Sequence, residues 1–260
     1  MLMHPTIDKL RQLRLTGMAA ALTQQAHTAD IEELAFEDRL GLMIDQEMAY
    51  RESRLLTTRL RRAKLKEQAS PEDIDFRSTR GLDRTLFQSL LGCQWVRKHQ
   101  NILLTGPTGA GKTYLACALV HQACRCGHTA QYYRLPRLMY ELNLAKGLGR
   151  YAKLLEQIAK VNILLLDDWG FADFDDATRR DLLEIFDDRH NRQSTIVTSQ
   201  LPIEKWHHAL GDATMADAIL DRLVHNAHRI NLMGDSMRQK MSSIHKTTMD
   251  TETTSQEEEI

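Results

Sequence analysis

Residues 101–113 read NILLTGPTGAGKT and match the phosphate-loop pattern G-x-x-x-x-G-K-[ST] at every position. The apolar run from Ile102 to Leu104 predicts a short buried strand, and the apolar residues after Lys112 recur at helical spacing. Between strand and helix, the glycines let backbone N–H groups turn toward an anion without obstruction by a Cβ atom. A chance glycine loop is the alternative, but it would not require the flanking strand and helix. The stretch therefore predicts a phosphate-binding strand, loop and helix.

The end of this loop carries the side chains expected of a nucleotide site. Lys112 can reach the β- and γ-phosphates as a point charge, and the Thr113 hydroxyl can ligate a magnesium ion that bridges them. We expect the whole loop to contact ATP. Its residues are Gly106, Pro107, Thr108, Gly109, Ala110, Gly111, Lys112 and Thr113.

Residues 161–170, VNILLLDDWG, form a second apolar run that ends in two carboxylates. A continuous run of this kind is typical of a strand buried in a parallel sheet. Asp167 is expected to hold magnesium, directly or through its waters, and Asp168 to orient or deprotonate the attacking water. The alternative is an ordinary strand followed by a turn. Because Asp168 is one methylene shorter than the glutamate of most ATPases of this architecture, we expect slow basal hydrolysis.

Further β-rich runs lie at 129–134, 194–200 and 229–232, separated by helical patterns. Strands that alternate with helices are typical of an α/β fold with a parallel sheet. Ligands bind at the carboxyl ends of parallel strands, so the polar end of the run 194–200 should lie beside the site. We therefore expect Ser199 or Gln200 to reach the γ-phosphate or its attacking water. A simple strand-end turn is the alternative.

Arg222 comes late in the chain, on a helical pattern at 215–223. An arginine supplied by a neighbouring subunit would stabilise the charge of phosphoryl transfer, and hydrolysis would then require assembly. The alternative is a surface ion pair with Asp217 or Asp221.

The length allows one large domain, or a domain of about 180 residues with a smaller partner, and apolar residues at helical spacing between 7 and 60 favour two domains. The 260 residues carry a net charge of −1 and leave room for an all-helical domain at 1–68 before an ATPase domain at 69–245. The acidic stretch 246–260 predicts a disordered tail. The chain has no apolar run near the roughly 20 residues of a membrane span and no signal-peptide order at its start, so we expect a cytoplasmic protein. Its four cysteines form no C-x-x-C pair, which favours reduced thiols.

Basic residues are concentrated in two stretches, although the net charge of the whole chain is close to zero. Between 51 and 66 the only acidic residue is Glu52, and the basic side chains go nearly round the predicted helix. Contact with a DNA phosphate backbone is one reading, and a solvated helix end is the other. Residues 134–153 form a second basic surface, and it too has two interpretations, which are DNA contact and a solvated helical hairpin. The candidate DNA-binding residues are Arg51, Arg54, Arg59, Arg61, Arg62, Lys64, Lys66, Lys146 and Arg150.

Five short segments, which follow one another along the chain, indicate which family of phosphate-loop proteins this sequence resembles. They are GPTGAGKT at 106–113, ILLLDD at 163–168, TSQLP at 198–202, AILDRL at 218–223 and GDSMR at 234–238. With these segments, residues 5–245 resemble the IstB family, the AAA+ helper ATPases of insertion-sequence transposition and relatives of DnaC and DnaA. The resemblance implies an AAA+ P-loop core with a parallel five-stranded sheet between helices, preceded by a small helical domain.

The resemblance also implies roles for individual residues. Lys112 and Thr113 correspond to Walker A, and Asp167 and Asp168 to Walker B. Gln200 takes the sensor I position, where relatives often have asparagine, and Arg222 the arginine finger acting in trans. Arg238 is a sensor II-like, ATP-binding candidate. Together these roles imply a homo-oligomer with ATP and Mg²⁺ as cofactors, which wraps and bends duplex DNA and hands it to a separate transposase, with hydrolysis stimulated by DNA and assembly.

Two other functions use the same phosphate loop. A helicase-loader adaptor of the DnaC type would use ATP as a switch and hold a helicase through its N-terminal helices. The basic run at 51–66 suits a DNA backbone better than a protein groove, which favours DNA remodelling. A small-molecule P-loop kinase is the weakest reading, because the chain has no lid arginine cluster and the helical domain would have no purpose.

Overall fold

The computed structural model describes residues 5–29, 31–76, 80–170 and 174–234. The chain divides into two compact units, of which the first ends at Arg61 and the second begins at Arg62. The boundary expected from the sequence, residue 68, lies a few residues further along. The expected acidic tail at 246–260 lies outside the described residues.

The first unit is helical. Its helices are α1 (Pro5–Gln12), α2 (Thr16–Gln25) and α3 (Phe36–Ala63), with a 3₁₀ turn at Ile31–Glu33; the end of α3 passes into the second unit. The sequence pattern from Ile7 to Gln25 suggests continuous helical spacing, but Arg14 adopts a left-handed conformation with φ of 60° and separates α1 from α2.

Helices α2 and α3 approach each other closely at Gly17. A Cβ atom on Gly17 would lie 2.6 Å from both the carbonyl oxygen of Gln46 and the Cα of Glu47. The buried Glu47 carboxylate accepts hydrogen bonds from the backbone N–H groups of Gly17, at 2.7 Å, and Met18, at 3.1 Å. Burial opposes its ionisation, but hydrogen bonds from Arg51, Met18 and Gly17 hold the pKa of Glu47 below its ordinary value. The carboxylate therefore caps the amino end of α2.

We expect Gly17→Ala to lower the free energy of unfolding by about 1–3 kcal/mol, because the added methyl group meets backbone atoms that cannot rotate away. Gly41→Ala is the matched control: it lies within α3, and a Cβ there would meet nothing within 4 Å. Alanine favours helix over glycine, so the control should be neutral or stabilising. Chemical denaturation followed by far-ultraviolet circular dichroism measures both variants. Equal stabilities would contradict the close approach.

The second unit contains a five-stranded sheet in the order β2-β3-β4-β1-β5, and all of its strand pairs are parallel. The strands are β1 (Asn101–Thr105), β2 (Ala130–Arg134), β3 (Ile163–Trp169), β4 (Ser194–Ser199) and β5 (Ala227–Asn231). The helices are α4 (Arg84–Leu91), α5 (Gln94–Arg97), α6 (Lys112–Arg125), α7 (Leu135–Gly147), α8 (Tyr151–Lys160), α9 (Asp176–Arg189), α10 (Trp206–Leu210) and α11 (Ala213–Val224). Short 3₁₀ turns lie at Pro71–Asp73 and Ile203–Lys205. The predicted α/β fold with its parallel sheet is confirmed.

The middle of the sheet is buried on both faces. Every residue of β1 and β4 is buried, as expected for strands covered by crossover helices. Beside the sheet, the Trp169 ring packs against Phe174, Phe186 and Trp206, with a centroid separation of 5.3 Å to Trp206. Because parallel strands point the same way, the residues that follow β1, β3 and β4 meet at one edge of this rigid core.

Among the described residues, no helix combines the length and apolarity needed to cross a bilayer.

Candidate nucleotide-binding site

The loop between β1 and α6 forms a cradle of backbone groups. Gly106, Gly109 and Gly111 have φ values of 143°, 84° and 90°. A Cβ atom on Gly106 would lie 2.3 Å from the carbonyl oxygen of Leu232, so this close approach requires glycine. The loop leads directly into α6, which presents the positive end of its dipole to the cradle. The loop can therefore hold an anion.

Lys112 supplies the positive charge of this cradle. Its side chain is largely buried, and Nζ donates to the carbonyl oxygens of Gly106, at 2.7 Å, and Pro107, at 2.8 Å. The ammonium group thus lies along the same loop whose backbone would bind phosphate. Phosphate binding by Lys112 stays a prediction.

Asp167 lies at the centre of a group of polar side chains at the end of β3. Its carboxylate is fully buried and accepts hydrogen bonds from the hydroxyl groups of Thr113, at 2.8 Å, and Tyr132, at 2.9 Å. The Thr198 hydroxyl donates to it from β4. Burial, followed by the negative charge of Asp167, raises the pKa of the Tyr132 phenol, which keeps it a hydrogen-bond donor. The predicted metal pair, Thr113 and Asp167, is therefore in direct contact.

Asp168 adopts a left-handed conformation, with φ of 64°, at an irregularity in the pairing of β3 with β4 between Leu166 and Trp169. Aspartate tolerates this conformation better than most residues, and such bulges redirect side chains near functional sites. The Asp168 carboxylate is partly exposed and accepts a hydrogen bond from Arg134 Nε at 2.8 Å. This contact raises the pKa of the Arg134 guanidinium. The structure thus gives the predicted water-orienting carboxylate a fixed cationic partner.

The end of β4 distinguishes between the two candidates Ser199 and Gln200. The Ser199 hydroxyl is buried, donating to the carbonyl oxygen of Trp169 at 2.8 Å and accepting from the N–H of Leu201. Gln200 is exposed, and its Oε1 accepts a hydrogen bond from the Thr108 hydroxyl at 2.8 Å. Gln200 therefore meets the phosphate loop, whereas Ser199 holds the strand end.

Arg222 does not join this site within one chain. The side chain of Asn101, at the start of β1, donates to the carbonyl oxygen of Arg222 at 3.2 Å, which places this part of α11 at the edge of the sheet opposite the phosphate loop. The guanidinium binds Asp187 at 2.8 Å, rather than Asp217 or Asp221, and also donates to the carbonyl oxygen of Ala218. Arg238 lies outside the described residues.

The candidate DNA-binding residues differ in their surroundings. Arg51 binds Glu47 at 2.7 Å, Lys146 binds both carboxylate oxygens of Asp181, and Lys66 Nζ lies 3.8 Å from Asp167 Oδ2. The charges of these three residues already have partners within the fold. Of the remaining six residues, Arg54, Arg61, Arg62, Lys64 and Arg150 are exposed, whereas Arg59 is half-buried.

Three residues around the two carboxylates were not predicted from the sequence as part of the site: Tyr132, Arg134 and Thr198. In the β2–β3 pairing, Arg134 lies opposite Asp167, and Tyr132 lies opposite Leu165. Alternation along β2 was a signal that Tyr132 and Arg134 share a face, but the neighbouring strand and its register were not visible in the sequence.

Comparison with known proteins agrees with this geometry. Residues 8–245 match the family described as IstB-like ATP binding protein. The chain belongs to this family. It is 52% identical to an insertion sequence ATP-binding protein of Sinorhizobium fredii (strain NBRC 101917 / NGR234), over 92% of this chain and 97% of that protein. It is 49% identical to the IS1162 ATP-binding protein of Pseudomonas fluorescens, over 78% of this chain and 88% of that protein.

A solved structure of lower sequence identity shares the fold of this chain. The crystal structure of DnaI aligns with a TM-score of 0.56 and 24% identity, and the match covers 64% of this chain and 91% of DnaI. At this identity the likeness shows the fold alone. Family membership confirms the expected AAA+ ATP-binding protein and is consistent with ATPase activity.

The residues present fit a magnesium nucleotide. The glycine loop has the left-handed backbone conformations that turn N–H groups toward an anion, and Thr113 and Asp167 offer the oxygen ligands that Mg²⁺ prefers. Asp168 and Gln200 lie at the neighbouring strand ends, where they can orient a water molecule.

Proposed function

We propose that this protein is a magnesium-dependent ATPase that assembles on duplex DNA, deforms it and presents it to the transposase of its insertion sequence. Its relatives are named as insertion sequence ATP-binding proteins, which supports the genetic context. The observation that carries the link between DNA and ATP is the position of Lys66.

Lys66 connects the basic end of α3 to the nucleotide site. The exposed Arg61, Arg62 and Lys64 precede it by a few residues, and its ammonium group lies 3.8 Å from the buried Asp167 carboxylate. The backbone of Lys66 and Glu67 also lies beside the Cys117 thiol, which belongs to α6, the helix that follows the phosphate loop. Phosphates bound to the basic run and a nucleotide bound beside Asp167 would therefore act on the same short segment. We infer that DNA binding depends on the nucleotide.

The roles of the site residues follow from their contacts. Thr113 and Asp167 would hold magnesium, which supplies charge neutralisation on the phosphates when bound. Lys112 binds the phosphates, and Asp168 orients the attacking water while Arg134 fixes its carboxylate. Gln200, in contact with Thr108, lies where it can sense the γ-phosphate.

The position of Arg222 supports the proposal that hydrolysis requires the subunits to assemble. Because it lies at the opposite edge of its own sheet, it would complete the site of a neighbouring subunit after exchanging Asp187 for the phosphates of that subunit's nucleotide. A single chain would then lack one cationic group for phosphoryl transfer, and hydrolysis would follow oligomerisation.

Binding to fluorescent duplex and single-stranded DNA of equal length, with ATP and with ADP at one stated salt concentration, tests this proposal. Tight, cooperative and ATP-dependent duplex binding is the expected result. A preference for single strands, or no DNA binding with either nucleotide, would contradict the proposal and favour a helicase-loader adaptor.

We expect neutralisation of Arg61, Arg62 and Lys64 by alanine to reduce the slope of log affinity against log salt by about 0.9 for each lost phosphate contact. All three side chains are exposed on or directly after the end of α3. Titrations of duplex DNA over a range of salt concentrations measure the slope.

A matched control removes the same charge elsewhere, with alanine at Arg97, Lys98 and Arg192, which are exposed near the amino ends of β1 and β4. This control should retain the slope of the unmodified protein. If both triple variants give the same slope, the end of α3 does not contact the DNA backbone.

A further inference from the structure

Arg80 lies beside the phosphate loop although it belongs to neither Walker motif. The N–H of Met233 donates to the carbonyl oxygen of Arg80 at 2.8 Å, and the N–H of Leu232 donates to that of Thr105, also at 2.8 Å. These bonds extend the sheet past β5 and hold the backbone of Arg80 against the segment that follows β5, which in turn pairs with the end of the strand that leads into the loop. The residue is 5% exposed.

The Arg80 side chain points at the loop itself. Its Nη1 atom lies 2.9 Å from the place where a Cβ on Gly111 would be, so the guanidinium touches the residue before Lys112. Nη2 donates to the carbonyl oxygen of Asp75 at 3.0 Å. Nε is buried and has no hydrogen-bond partner among the residues that the structure describes. Of the three guanidinium nitrogens, Nη1 is the donor on the side of the loop, so an anion held by the loop can accept a hydrogen bond from it.

The electrostatic surroundings agree with an anionic ligand. Burial lowers the pKa of the Arg80 guanidinium, and the nearby Asp75 carboxylate only partly opposes this effect. A phosphate beside the guanidinium would offset the remaining cost of burying its charge.

The strand order indicates which part of the nucleotide would meet Arg80. Asp167 lies near the end of β3 on one side of β1, whereas Arg80 is bonded to the segment just after β5 on the other side. The β- and γ-phosphates belong with Lys112, Thr113 and the magnesium position near Asp167. The portion of the nucleotide on the β5 side is therefore the portion nearest the ribose.

We propose that Arg80 is a nucleotide-binding residue whose Nη1 group donates a hydrogen bond to the α-phosphate of ATP and ADP. This inference rests on ATP binding by the family and not on the proposed action on DNA. The contact adds a second positive charge, beside that of Lys112, on the β5 side of the loop.

Equilibrium binding of fluorescent ATP and ADP to Arg80→Ala tests the proposal, with the full-length protein and without DNA. We expect both affinities to fall by about 10- to 100-fold, and by the same factor, because the α-phosphate is common to both nucleotides. Arg84→Ala is the matched control, since Arg84 is exposed and stacks over the Phe76 ring. It should bind both nucleotides like the unmodified protein.

Thermal unfolding without nucleotide separates binding from folding. A lower melting temperature of Arg80→Ala with unchanged nucleotide affinities would overturn the proposal and leave Arg80 a purely structural residue. A loss confined to ATP would also overturn it, because the contact would then be to the γ-phosphate. If Arg80→Ala does not fold, Arg80→Lys carries the test: lysine keeps the charge but lacks the forked donors, so equal losses for ATP and ADP are still expected.

Discussion

Arg222→Ala is expected to lower ATP hydrolysis by about 10³-fold or more in the assembled protein while leaving ATP affinity nearly unchanged. Arg222 lies at the sheet edge opposite its own phosphate loop, where it binds Asp187, so its loss cannot disturb the cradle that binds the nucleotide. Phosphate release at saturating ATP and DNA measures turnover, and a fluorescent nucleotide measures affinity. Unchanged turnover would remove the arginine-finger assignment.

Mixed assemblies show whether Arg222 acts between subunits. Lys112→Ala subunits lack the phosphate-binding lysine but keep Arg222, whereas Arg222→Ala subunits keep an intact loop. Mixing the two inactive variants should restore hydrolysis, because an Arg222 from one variant can complete the site of the other. Arg137→Ala is the control, since Arg137 takes part in an exposed ion pair with Glu141 and should retain full turnover. Absence of rescue would contradict action in trans.

Asp168→Asn is expected to lower hydrolysis by about 10²- to 10⁴-fold with ATP binding retained, because the side chain loses the carboxylate that we propose orients and deprotonates water. Asparagine suits this position sterically, since it tolerates the left-handed conformation that Asp168 adopts. The substitution thus removes charge without straining the bulge in β3. Single-turnover hydrolysis, with nucleotide affinity measured in parallel, gives the effect.

The matched control for Asp168→Asn is Asp188→Asn, an identical change at an exposed position on α9. The control should hydrolyse ATP normally. If Asp168→Asn keeps full activity, the carboxylate has no part in the chemistry. If it instead loses ATP binding, Asp168 belongs with the phosphate-binding residues rather than with the attacking water.

Much of the site could be predicted because its parts are local. The glycine loop and the apolar strand before it are consecutive residues, and the run ending at Asp167 and Asp168 has the composition of a buried parallel strand. Once both were placed in one parallel sheet, their meeting at the carboxyl edge followed from strand direction, and the contact between Thr113 and Asp167 agrees with it.

Other contacts depend on pairing that local patterns do not encode. Arg134 reaches Asp168 only because β2 lies beside β3 in one particular register, and a shift of one residue would turn its side chain to the other face. The break between α1 and α2 falls at Arg14, where the sequence has neither glycine nor proline. The helical spacing of the apolar residues therefore predicts one continuous helix there.

The amino-acid sequence by itself determined the phosphate loop, since that loop depends on backbone conformations open to glycine within a few consecutive residues. Only the tertiary structure decided which basic side chains already have partners within the chain. Lys66 and Lys146 looked like their exposed neighbours in sequence, yet each lies against a buried carboxylate far away in the chain, whereas Arg51 binds Glu47 one turn earlier on its own helix. The physical reason is that a charge is neutralised by whatever lies within a few ångströms, and folding brings residues far apart in the chain to that distance.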